Sequence, residues 1–539
     1  MSEGLDFIEK TLKEYKFKTK SINEALLLSE ESMVRLLDNA PADGTIHIHI
    51  SKKGGLAKVS LSAPGTDMTG ASLFDIGINS DDIDRGNESE VRSILLKAFE
   101  SKLRYARKGK YNFLDITVGN PDKVFALKTL VALGAALVIG FILQYVLGDA
   151  AKTALDSYLF IPIEQIFTNM LMLVAAPTVF FSIMVSVASY ASFLDPGRVS
   201  IKTFVGYALT SVIAIFVSVL IFRIFTPGEE GLLVPVLDIG GNITAGKTDF
   251  IQTIVNIVPS NIIDPFKNVD TLQLIFLALI CGIALGRIGD YSVTLRNMTE
   301  ALNTLFTKIV SMLMKVIPVA AFAATVSMLL NVGNKVLVSI AEMLCTVVLG
   351  VAVMLLLYCL LVLVVGRVSP VTFVRKYAPM MKETFILGSG LAALPKTMRC
   401  CRNSLGISPK VYSFSIPFGA SFNMDGNCVY LTIAALFVSR LCGVEFVSSQ
   451  ILPLVFTILI LSIGAPITPG TAIICLTIIL SQMGVSLIAV SVLFGVNAVV
   501  EMFLGMSNTT GDVAVSLAIA RTENLLNTEI FNRKSKVHK

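Results

Sequence analysis

The rhythm of polar and apolar positions changes once along the chain, near residue 123. Before it, short periodic segments alternate with charged turns. Ser21–Leu37 carries apolar residues at helical spacing and predicts an amphipathic helix. Thr45–Ile50 and Ala57–Leu61 alternate with period two around Lys52-Lys53-Gly54-Gly55, which predicts a hairpin. Val91–Ala106 reads as a second helix and Tyr111–Val118 as a last strand. Two helices over a small antiparallel sheet make residues 1–120 an α/β sandwich domain.

Beyond residue 123 the chain reads as a polytopic α-helical membrane protein, since a spanning helix needs roughly 20 apolar residues. Expected spans are Lys123–Val146, Leu159–Ala191 with a kink at Pro177, Thr203–Phe225, Asp270–Leu285, Ala301–Leu330 past Pro318, and Lys335–Val365. Basic residues cluster in alternate loops, and Lys102, Arg104, Arg107, Lys108 and Lys110 precede the first span. That bias puts the N-terminal domain in the cytoplasm. After residue 383 the pattern breaks: Thr384–Ser404 and Ser449–Gly484 are interrupted by small residues and proline. Each reads as two half-helices meeting at a tip, and each precedes a span, Val411–Cys442 and Val485–Ala520. Hairpin then span, twice, is the pattern of inverted repeats around a midplane site. Ordinary packed spans using small residues for close contact are the alternative.

Inside Val411–Cys442 lies a polar island, Asn423-Met424-Asp425-Gly426. A carboxylate at mid-membrane costs at least about 2.5–3.5 kcal/mol, and Asn, Asp and Gly all weaken a helix. The island therefore predicts a broken helix whose freed carbonyls and carboxylate face a cation. A kink whose Asp pairs with a base is the plainer alternative, but no Lys or Arg lies between Lys410 and Arg440. On the last span Glu501 stands seven residues before Asn508 and eleven before Asp512, near whole helical turns, so the three share a face. Its basic residue, Arg521, sits at the cytoplasmic end. Uncompensated carboxylates there again imply bound cations.

Composition sharpens this by exclusion. Of 539 residues, 54% are hydrophobic and 15% charged, against about 25% charged in soluble domains. His47, His49 and His538 lie outside the spans, which rules out a membrane histidine relay. The eight cysteines show no CxxC pair and read as reduced packing residues. Met1–Lys20 is charged and lacks the apolar core of a signal peptide. Trp is absent, so Tyr and Phe must supply any interfacial belt, and a net charge of +5 is too mild for nucleic-acid binding. With no nucleophile–base pair or metal constellation in the spans, no enzyme is expected.

In the N-terminal domain, EESMVRLLDNA and LLKAFESKLRYARKGKYNFLDITV resemble the histidine-kinase/anti-sigma-factor ATPase fold. That family holds magnesium with an Asn where this chain has Arg35, and its Asp-x-Gly-x-Gly loop is replaced by Ser62-Ala63-Pro64-Gly65. The resemblance with these departures implies a degenerate, regulatory or assembly domain.

Residues 123–525 resemble the dicarboxylate/amino acid:cation symporter family, which includes the glutamate transporters. SIPFGASFNMDG, the two hairpins, the NTTGD of Asn508–Asp512 and the GYALTS of Gly206–Ser211 carry the resemblance. It implies eight spans plus two re-entrant hairpins, an elevator mechanism, a homotrimer in the cell membrane with cytoplasmic termini, and a basic tail at 526–539. Scaffold spans would lie within 123–191 and 263–330, and the moving transport domain would comprise 203–225 and 335–522. By the same resemblance, one sodium site uses Tyr207, Thr210, Ser211, Asn423 and Asp425. A second uses Gly419, Asn423, Asn508 and Asp512. A third uses Ser421, Met424, Ser462, Ile463 and Ala465, mostly through carbonyls. Na+ is the expected co-transported ion.

The substrate positions depart from the family. Glu501 stands where the family has an Asp for the substrate ammonium, and Leu504 where acidic amino acid carriers have an Arg. Gly505 and Asn427 replace threonines, and the first hairpin keeps Ser389 beside Gly390, with Thr468 at the second tip. Asn508 is retained for an α-carboxylate. A neutral amino acid is the expected substrate. A dicarboxylate is the alternative, should a base such as Lys396 reach the site. A ligand sensor signalling through the N-terminal domain, and an anion conductance on the same scaffold, are the readings from other classes.

Overall fold

The computed structural model describes residues 2–17, 19–41, 45–53, 55–66, 103–119, 121–191, 198–233, 255, 257–288, 292–388, 390–444, 448–464, 471–483, 485 and 487–533. Two units divide at residue 125: Met1–Phe125 and Ala126–Lys539.

In the first unit, helices α1 (Ser2–Glu14) and α2 (Thr19–Asp38) accompany an antiparallel sheet of β1 (His47–Lys53), β2 (Leu56–Pro64), β3 (Leu103–Lys108) and β4 (Tyr111–Val118). The strand order is β1-β2-β4-β3. Period-two alternation puts Ala57, Val59, Leu61 and Ala63 of β2 on the buried face with Leu114, Ile116 and Val118 of β4. Ile22, Ala25, Leu28, Met33 and Leu36 of α2 cover that face at helical spacing, and Ile8 and Leu12 of α1 complete the core.

One expectation fails here. The described end of the expected helix Val91–Ala106 is strand β3, with Leu103 opposite Ile116 and Lys108 opposite Tyr111. The cause is Gly109, whose φ of +60° allows a tight turn that folds the segment back onto β4. Residues 91–102 lie outside the described residues. Ser62, Ala63 and Pro64, standing where the resembling family has its adenine loop, are strand residues instead, with Pro64 opposite Tyr111.

The second unit is helical. Its described helices include five long and apolar enough to cross a membrane, within Leu127–Val146, Asp149–Ala188, Arg198–Phe225, Val293–Asn331 and Lys335–Val364. In order, the elements used below are α3 (Pro121–Val146), α4 (Ile161–Ala191), α5 (Arg198–Phe225), α6 (Thr271–Leu285), α7 (Ser292–Leu313), α8 (Ile317–Asn331) and α9 (Lys335–Val364). A short helix at Asp149–Leu155 and a π-helical turn at Asp156–Phe160 lead into α4. The expected span Ala301–Leu330 is two helices joined by a 3-10 turn at Met314–Val316, because Pro318 lacks the N–H that a continuous helix needs there.

The first hairpin region begins earlier than the pattern suggested, whereas the second begins within one residue of it. The first comprises α10 (Pro370–Leu387) and α11 (Gly390–Asn403), turned at Gly388 with φ +62°. Its first arm starts at Pro370 rather than Thr384, capped by Ser369, whose hydroxyl accepts from the Thr372 amide. Arg375, Lys376 and Lys382, read as loop charges, sit on that arm. Lys376 donates to the carbonyls of Ser404 at 2.9 Å and Ile530 at 2.7 Å. The second region comprises α14 (Ser448–Gly464) and α15 (Thr471–Gln482), with residues 465–470 outside the described set. The expected span Val485–Ala520 is a 3-10 segment, Leu487–Leu493, followed by α16 (Asn497–Thr522). Gly495 at that junction lies so close to Leu133 that an added Cβ would stand 2.6 Å from its Cδ1.

Between these regions the polar island interrupts a helix. α12 (Pro409–Phe422) ends before it and α13 (Asp425–Leu441) starts inside it. Asn423 (φ −104°, ψ 76°) and Met424 (φ −100°, ψ 56°) have left helical geometry. Every residue of α13 except Arg440 is buried, so the break lies deep in the protein.

Candidate functional site

Four helices bring polar side chains to the break. From α5, the Ser211 hydroxyl donates to Asp425 Oδ1 at 2.8 Å and the Thr210 hydroxyl to Asn423 Oδ1 at 3.0 Å. The Tyr207 hydroxyl donates to the Ser415 carbonyl at 2.8 Å. From α16, Asp512 Oδ1 accepts from Asn423 Nδ2 at 3.0 Å, and Asn508 Oδ1 accepts from the Gly426 amide at 2.7 Å. From α9, the Tyr358 hydroxyl donates to Asp425 Oδ2 at 2.7 Å. Asp425 and Asn423 are 0% exposed and Asp512 is 1% exposed, so both carboxylates lie away from solvent.

Two glycines permit this closeness. A Cβ at Gly419 would press on the Asp512 carboxylate and come within 2.8 Å of the Tyr207 hydroxyl. One at Gly426 would come within 2.9 Å of Asn508 Oδ1. The first two expected sodium sets are thus gathered in one buried cluster. The third is gathered only in part: Met424 Sδ accepts from Asn427 Nδ2 at 3.5 Å, while the Ser462 hydroxyl donates to Leu459 on its own helix at 2.7 Å. Ser421 is half-buried at the end of α12; the side chain of Ile463 and all of Ala465 lie outside the described residues.

Ser211, Tyr358 and Asn423, which donate to the two carboxylates, are all neutral, so hydrogen bonding positions these groups without supplying positive charge. Hard monovalent cations take oxygen ligands, and this cluster is rich in oxygen. Among the described residues, no group of three or more His, Cys, Asp or Glu forms a metal centre.

The expected substrate residues cluster less tightly. Asn508 Nδ2 donates to Asn427 Oδ1 at 3.2 Å, so Asn508 ties α16 to both Gly426 and Asn427. Leu504 is buried under Gly426, and the Gly505 carbonyl accepts from the Thr509 hydroxyl at 2.9 Å. Glu501 is half-buried, with Oε1 accepting from Asn497 Nδ2 at 2.9 Å. Its backbone lies 3.8 Å from a Cβ built on Gly388, at the first hairpin turn. Gly390 abuts Thr509, whereas Ser389 and Thr468 lie outside the described residues. Lys396 pairs with Glu383 at 2.5 Å, across the two arms of the first hairpin region.

Sequence reasoning missed Tyr358, Ser415 and Ser516. The last two share a hydrogen bond at 2.7 Å beneath Tyr207. Tyr358 had a usable signal: it is the sole tyrosine of the apolar α9, and a buried phenol needs a partner.

Comparison with known proteins fits this geometry. The chain belongs to the Sodium:dicarboxylate symporter family, whose profile matches residues 125–522. It is 27% identical over 403 residues to the C4-dicarboxylate transport protein of Bordetella avium, covering 72% of this chain and 88% of that protein. It is 26% identical over 402 residues to the C4-dicarboxylate transport protein of Bacillus subtilis, covering 72% and 92%. With C4-dicarboxylate transport protein 3 of Ralstonia nicotianae it shares 29% identity over 411 residues, covering 73% and 89%. The chain is therefore a transporter-family membrane protein.

Proposed function

We propose that this protein is a sodium-coupled symporter of a small organic carboxylate, working by elevator-type alternating access as a homotrimer in the cell membrane. The observation that carries the coupling ion is the Asp425–Asp512 cluster: two buried carboxylates held by neutral donors, on an interrupted helix. Tyr207, Thr210, Ser211, Asn423 and Asp425 would hold one sodium, and Gly419, Asn423, Asn508 and Asp512 a second. Met424, Ser421 and the second hairpin region would supply a third. The two helix-turn-helix regions would be the gates, and the termini cytoplasmic. Met1–Phe125 would act as a regulatory domain, a role supported by strand residues in place of its adenine loop.

Two substrate classes each have an observation in their favour. Glu501 and the buried Leu504 favour a neutral amino acid, whose ammonium would meet Glu501 while Asn508 receives its carboxylate. The pairing of Lys396 with Glu383 supports this, because it occupies the base named above for a second carboxylate. The names of the relatives favour a C4-dicarboxylate. Sodium-dependent thermal shift of the purified protein against both classes separates them. Stabilisation by succinate or malate alone would reject the neutral amino acid. Leu504→Arg is expected to move preference toward acidic substrates by roughly tenfold or more, one bidentate charge-assisted contact contributing about 1.5–3 kcal/mol.

A further inference from the structure

A second set of buried acidic oxygens lies on residues that the island does not use. Asp156 sits on the π-helical turn before α4, and Glu164 on the first turn of α4; each is 3% exposed. Glu164 faces Ser491 of the 3-10 segment Leu487–Leu493 and Ser327 of α8, with Asp156 within electrostatic reach. Asn331, at the end of α8, gives both amide hydrogens away: to Asp156 Oδ2 at 2.6 Å and to the Ser327 carbonyl at 2.9 Å. Asp156 Oδ1, Glu164 Oε1 and Ser491 Oγ, all buried, have no hydrogen-bond partner within bonding distance among the described residues.

Among the described residues the donors at hand, Asn331 toward Asp156 and the Ser491 and Ser327 hydroxyls facing Glu164, are all neutral. Neither α8 nor Leu487–Leu493 contains a titratable residue, and Lys152 of the preceding short helix pairs with Asp149 at 3.3 Å. A buried carboxyl is costly as the bare anion and is neutralised either by a proton or by a cation. Water would satisfy lone pairs without supplying charge. A π-helical turn is itself a feature frequent at functional sites.

We propose that Asp156, Glu164 and Ser491 form an additional sodium site, tying the start of α4 to the segment between the second hairpin region and α16. This rests on the chain's being a cation-handling membrane protein, but on neither substrate reading. Equilibrium binding of radioactive sodium to the purified full chain, without substrate, tests it. Glu164→Gln is expected to bind one sodium fewer per chain than the parent. Asp425→Asn, which disrupts the island, is expected to retain the sodium that Glu164→Gln loses. Where Glu164→Gln does not fold, Ser491→Ala keeps both carboxylates and is expected to weaken that sodium about tenfold or more. An unchanged sodium count in Glu164→Gln, or an unchanged isotherm in Ser491→Ala, overturns the site and assigns the space to water. The island sodiums and sodium-driven uptake would survive that outcome. Conversely, a sodium lost with Glu164 in a protein that shows no uptake would uphold this site and sink the symport reading.

Discussion

The two buried acidic clusters differ in their supply of donors. Asp425 accepts from Ser211 and Tyr358 through separate oxygens, and Asp512 accepts from Asn423. At the second cluster, Asp156 and Glu164 each keep an oxygen with no partner. The first cluster is assembled by side chains converging from α5, α9, α13 and α16, so its geometry is fixed before any ion arrives. The second sits where α4, α8 and a 3-10 segment meet; Asn331 donates to Asp156, and the Ser327 and Ser491 hydroxyls face Glu164. Prior positioning by neutral donors keeps the carboxylates aimed, which suits an ion that must bind and leave. A cluster short of donors depends on its ligand for stability, which suits an ion that stays.

This contrast can be broken most forcefully at Asp425. Asp425→Asn turns an acceptor into a donor against the Ser211 and Tyr358 hydroxyls. Sodium-driven uptake should fall at least about a hundredfold, because two charge-assisted hydrogen bonds of about 1.5–3 kcal/mol each are at stake. Tyr358→Phe removes one of them and should weaken sodium binding roughly 10–100-fold in a sodium titration. Gly419→Ala places a methyl against Asp512 and Tyr207. It should destabilise the protein by about 1–3 kcal/mol in thermal unfolding and raise half-saturating sodium. Tyr377→Phe is the smallest and most discriminating change, because that hydroxyl donates to the Thr509 carbonyl at 3.2 Å rather than to a carboxylate. It should cost about 0.5–1.5 kcal/mol in unfolding and leave the sodium titration unchanged. Equal effects from Tyr358→Phe and Tyr377→Phe on sodium would dissolve the distinction.

Much of the island was legible in the chain. Asn, Asp and Gly in an apolar run without a base nearby predicted the helix break that lies at Asn423 and Met424, and Asn508 and Asp512 fell on one helical face. The partners of Asp425 were legible only in part. Ser211 came through family resemblance, whereas Tyr358 lies 67 residues from Asp425; as the sole tyrosine of α9 it signalled a need for a partner but not which one. The 103–108 strand was misread because three basic residues with scattered apolar ones fit a helix as well as a strand. Only the Gly109 turn and pairing with β4 decide it. The starts of α10 and α16 were missed for a related reason. Lys376 is satisfied by distant carbonyls, and Gly495 leaves room that the Leu133 side chain needs, neither visible to local periodicity. The Asp156–Glu164 cluster was invisible because it is defined by donors that are missing.

The central claim is that the buried Asp425–Asp512 cluster couples sodium to transport. Uptake of labelled amino acids and C4-dicarboxylates into proteoliposomes, driven by an inward sodium gradient, tests it directly. Concentrative uptake that collapses when choline replaces sodium, and that Asp425→Asn abolishes, is the predicted result; uptake that persists unchanged in choline would contradict it.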